Sequence, residues 1–207
     1  LEVLVPARAS GFKSPFGHIS DCKTVDRLDG EAMIIDDALK LIRFIPDYPQ
    51  PGVLFQDITP VLADGEAFSS VVKALAAVDP ESSVVAGIEA RGFIFASAIA
   101  IEKGCGFVPI RKKGKLPHQT YSQQYGLEYG VDEIEIHVDA FAPGSKVLLV
   151  DDVLATGGTL VAAIDLVRRA GGMITDIAVL SEIAILGGRQ RINTHSPEVQ
   201  IHALKRD

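Results

Sequence analysis

The sequence predicts an α/β protein built on a doubly wound, mainly parallel sheet. Three observations carry that prediction. Val84–Ile88 and Val147–Val150 are short continuous apolar runs, the pattern of strands buried on both faces. Each run is followed by a glycine-containing turn and then by apolar residues at helical spacing. The same alternation of strand and helix recurs along the chain, which indicates βαβ units rather than a sandwich.

In chain order, Glu31 to Phe44 carries apolar residues at helical spacing (Ile35, Ala38/Leu39, Ile42) and reads as a first helix. Pro46 to Thr59, with Pro49, Pro51 and Gly52, reads as loop. Glu66 to Val78 reads as a helix, Val84–Ile88 as a strand and Phe93 to Lys103 as a helix. Gly106 to Ile110 is a strand that runs into the basic segment Arg111-Lys112-Lys113-Gly114-Lys115. Leu116 to Gly130 has no clean period. A loop of that length inside a compact domain is usually a lid or disordered. Glu133 to Val138 alternates like a half-exposed strand. Val147–Val150, a helix over Leu160 to Ala170, a strand over Ile174 to Leu180 and a short strand over Gln200 to Leu204 complete the series.

Composition narrows the class. At 207 residues, 31–207 make one domain with room for a substantial core, and 1–30 read as a loosely attached extension. No apolar run approaches the roughly 20 residues of a membrane span. A net charge of −7 argues against nucleic acid as the main partner. The two cysteines, Cys22 and Cys105, form no disulfide framework, and the five histidines show no metal-ligand spacing. The first 30 residues lack the pattern of a secretory signal, and their acids count against a transit peptide. The expectation is a cytoplasmic protein.

The segment richest in chemistry is Val147-Leu-Leu-Val-Asp151-Asp152-Val-Leu-Ala155-Thr156-Gly157-Gly158-Thr159. In open parallel sheets, ligands sit at the carboxyl ends of strands. The loop Ala155 to Thr159 can turn backbone N–H groups toward an anion, and the following helix N-terminus favours a phosphate. Asp151 and Asp152 repel a phosphate but suit the 2- and 3-hydroxyls of a ribose, or a ring developing positive charge. The bland alternative is an ordinary strand-to-helix turn with solvated acids.

Four further segments join it. Glu89-Ala90-Arg91-Gly92 could offer N–H groups to a second anion, or be a routine turn. Arg111 to Lys115 places four cations in five residues, more often a solvated face but plausible counter-charge beside phosphates. Tyr125-Gly-Leu-Glu128-Tyr129-Gly130 could close over a reactive sugar cation, or Glu128 could be a surface acid in a mobile loop. In Asp47-Tyr-Pro-Gln-Pro-Gly-Val-Leu-Phe55-Gln56-Asp57-Ile-Thr59-Pro60, Phe55 offers a ring face to a flat base, or is simply core.

Together these segments resemble the type I phosphoribosyltransferases. The resemblance covers about residues 34 to 204 and is strongest for the adenine-specific members. It rests on Pro-x-Pro-Gly-Val-Leu-Phe-x-Asp-Ile-Thr, Glu-Ala-Arg-Gly-Phe, Ile-Arg-Lys-Lys-Gly-Lys-Leu-Pro, Leu-Glu-Tyr-Gly and Val-Asp-Asp-Val-Leu-Ala-Thr-Gly-Gly-Thr. It implies the fold of that family, with a small hood and a flexible catalytic loop. The implied reaction is transfer of phosphoribosyl from phosphoribosyl diphosphate (PRPP) to adenine, giving AMP and diphosphate. Adenine would stack on Phe55 with Ile183 on its other face, and backbone groups of Leu54 to Gln56 would read its edge. Arg91 would lie near base and diphosphate; Arg111, Lys112, Lys115 and His118 would hold diphosphate. Asp151 and Asp152 would hold the ribose, and Ala155, Thr156, Gly157, Gly158 and Thr159 the 5-phosphate. Glu128 and Tyr129 would ride on the closing loop, Glu128 as the group that manages the adenine proton. The resemblance also implies Mg²⁺ held mainly by PRPP oxygens and water, and a homodimer in which the basic run reaches the neighbouring site. Two features depart from the family pattern: Gln56 stands where members often have Arg, and residues 1–30 are atypical. Alternatives are transfer to another 6-substituted purine, to hypoxanthine or to guanine, and a PRPP-sensing regulator on the same fold.

Overall fold

A computed structural model describes residues 33–127 and 130–207. The elements run α1 (Ile35–Lys40), β1 (Arg43–Pro46), β2 (Leu54–Asp57), α2 (Thr59–Ala63), α3 (Gly65–Ala76), β3 (Val84–Ile88), α4 (Arg91–Lys103), β4 (Gly106–Lys112), β5 (Thr120–Leu127), β6 (Gly130–His137), β7 (Lys146–Leu154), α5 (Gly158–Arg169), β8 (Met173–Glu182), α6 (Gly188–His195) and β9 (Gln200–Arg206). Seven strands form one sheet in the order β5-β6-β4-β3-β7-β8-β9. β4, β3, β7, β8 and β9 are mutually parallel, and the β5–β6 hairpin adds to the β4 edge antiparallel. β1 and β2 pair separately as an antiparallel ribbon.

Alternation along the central strands explains the layering. In β7, Val147 and Leu149 pack on one face with Ile164, Leu166 and Val167 of α5. Leu148 and Val150 point the other way, into α3 and α4 side chains such as Leu75, Phe95 and Ile99. Both faces are therefore covered, as the uninterrupted apolar runs predict. Each fully buried Leu, Ile or Phe contributes about 1.5–3 kcal/mol. Asp64 starts α3 by accepting hydrogen bonds from the Glu66 and Ala67 N–H groups, both at 3.0 Å.

Four expectations are corrected. The first helix stops at Lys40, and Phe44 lies in β1, because the β1–β2 ribbon captures it. The 46–59 stretch is not all loop; it holds β2 and the start of α2. Leu116 to Gly130 is not irregular throughout, since 120–127 pair residue by residue with 130–137. Tyr121 and Tyr125 pack against the core, so the stretch does alternate, but its polar partners Gln123 and Gln124 hide the pattern. Helix α6 was not anticipated: it buries only Gly188 and Ile192, too few apolar positions to announce a helix.

Candidate active site

The carboxyl ends of β3 and β7 and the ribbon β1–β2 converge on one region. Val53, Leu54, Phe55, Gln56, Ile58, Arg91, Asp152, Val153, Ser181 and Ile183 enclose a cavity of about 110 Å³, room for one flat ring system. A second cavity, about 160 Å³, is lined by Asp151, Val153 and the loop Ala155–Leu160. The two share Val153 and are flanked by the acid pair. A flat-ring site and a phosphate loop thus lie side by side at the sheet's carboxyl end.

Arg91, first residue of α4, ties the first cavity to the acids. Its guanidinium lies 2.8 Å from Asp152 Oδ2 and 5.3 Å from the centroid of the Phe55 ring. It also donates, at 3.5 Å, to the Gln56 carbonyl. Tyr48 holds the Phe55 ring edge-on at 5.1 Å, leaving Phe55 half-buried in the wall.

The acid pair is electrostatically uneven. Asp151 Oδ1 accepts a hydrogen bond from the Asp152 N–H at 2.9 Å. Burial pushes the Asp151 carboxyl well above the ordinary carboxylate range, and the Asp152 charge adds to that push. Asp151 keeps a partly accessible surface toward the second cavity, but protein crowds its carboxyl closely enough for burial to dominate. Burial raises Asp152 too, against the opposing pull of Arg91. One guanidinium therefore faces two carboxylates, a site prepared for additional positive charge.

The phosphate loop is shaped by glycine packing that sequence reasoning did not find. Gly157 sits at φ +77°, where a side chain would be strained. A Cβ on Gly157 would lie 2.8 Å from the Gly188 carbonyl oxygen, and one on Gly188 would lie 2.2 Å from the Ala155 carbonyl oxygen. Loop and α6 N-terminus thus touch backbone to backbone. Helix α6 is held there by Arg189, which forks onto the buried Glu182 carboxylate and donates to the Ile201 carbonyl at 2.8 Å. Arg191 of α6 also reaches this loop: its Nη1 would be 3.2 Å from a Cβ on Gly158. The only sequence signal for any of this is the Gly187-Gly188 pair.

The Glu89–Ala90 peptide is cis. Glu89 grips the basic strand end, accepting from Arg111 Nε at 3.2 Å and from the Lys112 N–H at 3.0 Å. Burial works to raise the Glu89 carboxyl, but these donors outweigh it and hold it below the usual range. Lys112 Nζ lies 3.2 Å from Asp132 Oδ2. The Arg111 Nη1 donates to the Lys115 carbonyl at 3.1 Å, and the His118 ring meets His137 edge-on at 6.1 Å. The structure thus gathers residues 54–56, Arg91, 151–159 and Ile183. It leaves Arg111, Lys112, Lys115 and His118 off the walls of both cavities, with Arg111 and Lys112 paired to acids of the same chain. Glu128 and Tyr129 lie outside the described residues.

Residues 61–191 match the phosphoribosyl transferase domain. An adenine phosphoribosyltransferase of Thermobifida fusca (strain YX) is 52% identical over 167 residues, which is 80% of this chain and 93% of that protein. The crystal structure of adenine phosphoribosyltransferase from Thermoanaerobacter pseudethanolicus ATCC 33223 matches with a TM-score of 0.79 at 43% identity, over 84% of this chain and 99% of that one. The Giardia lamblia enzyme complexed with 9-deazaadenine matches with a TM-score of 0.78 at 39% identity, over 84% and 98%. The cavity pair, the acid pair between them and these likenesses agree: the chain belongs to the phosphoribosyltransferase family, among its adenine phosphoribosyltransferases.

Proposed function

We propose that this protein transfers the phosphoribosyl group of PRPP to adenine, giving AMP and diphosphate. The observation that carries the reading is the junction of the two cavities. The base site of Phe55, Arg91 and Ile183 adjoins the phosphate loop, with Asp151 and Asp152 where the two meet. A nucleotide likewise joins a flat ring to a phosphate through a ribose. Enzymes of the family from Thermobifida fusca and Methylobacterium radiotolerans carry the name of this activity.

In the reaction, the bond between C1 of the ribose and the diphosphate oxygen breaks, and diphosphate leaves with the electron pair. Adenine N9 bonds to C1 and its proton goes to Glu128. Asp151 and Asp152 hold the ribose hydroxyls and stabilise positive charge on the ring as it develops. The loop 155–159 and the α5 N-terminus hold the 5-phosphate, with Arg191 as added counter-charge. Closure of the β5–β6 hairpin, carrying Glu128 and Tyr129, excludes water.

The acid pair, only half compensated by Arg91, offers hard oxygen donors and surplus negative charge, which fits a hard cation. Asp151 and Asp152 would orient such an ion through the ribose hydroxyls and water. Bound there, Mg²⁺ supplies charge neutralisation to the leaving diphosphate. Excess chelator should abolish turnover and added Mg²⁺ restore it. Arg111 and Lys112 are candidates to reach diphosphate across a dimer interface, and the reading fits a cytoplasmic enzyme of purine salvage.

A purine competition assay tests the reading. Protein, PRPP and Mg²⁺ are mixed with adenine, hypoxanthine, guanine and xanthine, and the nucleotides are resolved. AMP should dominate. Another nucleotide would reject the base assignment, and no nucleotide despite PRPP binding would favour a sensor.

A further inference from the structure

The strand order β5-β6-β4 makes the chain between β4 and β5 cross over β6. Ile134 and Ile136 of β6 are buried in the core, so Glu133, Glu135 and His137 lie on the opposite face. The crossing segment follows that row in step. Lys113 Nζ lies 2.9 Å from Glu133 Oε2. The Lys115 and Leu116 N–H groups each donate to Glu135 Oε1 at 3.0 Å. The His118 ring then meets the His137 ring.

Glu135 stands apart in this row. It is 4% exposed, and its donors are two backbone N–H groups and the Thr120 hydroxyl, which reaches Oε2 at 3.3 Å. A buried carboxylate is costly unless donors surround it, so a defined backbone shape is the return for burying this one. That shape belongs to the basic run. Lys112 to Lys115 form a β-turn, in which the Lys115 N–H also donates to the Lys112 carbonyl at 3.3 Å. Gly114, at φ +78°, takes the third position, where a type II turn needs positive φ. Arg111 Nη1 donates to the Lys115 carbonyl at 3.1 Å. The Lys115 backbone is therefore gripped at both its N–H and its carbonyl. Its ammonium is not: Arg111, Lys112 and Lys113 pair with Glu89, Asp132 and Glu133, but Lys115 pairs with no acid among the described residues. A cation on a fixed backbone, without an internal partner, is suited to meet an anion from outside the chain.

We propose that Glu135 is a positioning residue for diphosphate: by holding the Lys115 and Leu116 N–H groups, it fixes the turn that presents the Lys115 ammonium to the leaving group. The inference rests on the adenine-transfer reading, in which the basic run holds diphosphate, and adds which acid shapes that run. Glu135 touches no substrate and acts through Lys115. What matters is an acceptor oxygen at that place, not the charge it carries.

The test is the forward reaction of the full chain with adenine, PRPP and Mg²⁺, with AMP as product inhibitor. AMP shares the base, ribose and 5-phosphate sites with the substrates but has no diphosphate. Glu135→Asp keeps the charge but withdraws the oxygens by about 1.5 Å, one carbon–carbon bond. It should raise KM for PRPP about 10-fold and leave the inhibition constant of AMP unchanged. Glu135→Gln keeps an oxygen in place for the two N–H groups, and its KM for PRPP should rise by no more than about threefold. In kcat/KM for PRPP, Glu135→Asp combined with Lys115→Ala should lose no more than Lys115→Ala alone, because both act through one ammonium. Unchanged KM for PRPP in Glu135→Asp, or additive losses in the double variant, would overturn the proposal. Equal weakening of PRPP and AMP would also overturn it, since Glu135 would then only support the fold. An unaltered chain that makes no AMP would instead refute the adenine-transfer reading, a result distinct from these.

Discussion

Asp151→Asn should make the ligand-free protein more stable while removing most of its activity. Asp151 and Asp152 stand side by side at the end of β7, and the one guanidinium there pairs with Asp152. Burial and a like charge disfavour the ionised Asp151 carboxyl, and each pKa unit of such disfavour is worth about 1.4 kcal/mol once the group ionises. An asparagine keeps the size of the side chain and can still accept from the Asp152 N–H, the bond seen at 2.9 Å. A gain of about 1–2 kcal/mol near pH 7–8 is therefore expected. For a chain of this size that is a rise in Tm of roughly 2–8 °C. The pH dependence supplies a second check. The Asp151 carboxyl is raised in the folded state by burial and by Asp152. Its favourable contribution is thus full below the unfolded carboxyl range, near about pH 3.9, and is lost as pH rises toward the folded value. The stability gained by Asp151→Asn should accordingly be near zero in acid and grow with pH. Melting curves of both proteins without ligand, taken from pH 4 to 8, measure this. A lower Tm for Asp151→Asn at neutral pH, or a gain independent of pH, would refute the reasoning.

Two further outcomes follow from the site. Gly188→Ala forces a methyl to within 2.2 Å of the Ala155 carbonyl oxygen. Overpacking of this kind costs about 1–3 kcal/mol. KM for PRPP should rise because the loop moves, and a crystal structure with an unmoved loop would remove the argument. Glu128→Gln should lower the chemical step by about 10²-fold if Glu128 takes the adenine proton. Lid closure or product release can hide that in steady state, so a single-turnover measurement is the proper check. An unchanged single-turnover rate would end that role.

Much of the sheet and half of the site are legible without coordinates. Strands β3, β4, β7 and β8 sit in the middle of the sheet, where both faces need apolar residues, so the runs Val84–Ile88 and Val147–Val150 stand out. Asp151, Asp152 and the 155–159 loop are also readable, because a strand end, two acids and a glycine pair occupy one contiguous stretch. The order of the strands is not readable, since it depends on which edges meet. β5 is polar along much of its length and exists by pairing with β6. Helix α6 is a local sequence with little apolar face, placed by the Arg189–Glu182 fork.

The contrast is sharpest in the base cavity. Local sequence singles out Phe55 as a ring that could stack, because two prolines and a glycine fix an extended turn just before it. Nothing local joins it to Arg91, Asp152, Ser181 and Ile183, which come from three other parts of the chain. Gln56 and Asp207 are 151 positions apart, yet their side chains meet in a 2.8 Å hydrogen bond. Motifs of contiguous residues carry the phosphate chemistry, since a loop and a helix start suffice to bind an anion. Recognition of a flat ring needs walls on several sides, and only the folding of distant strands against one another supplies them.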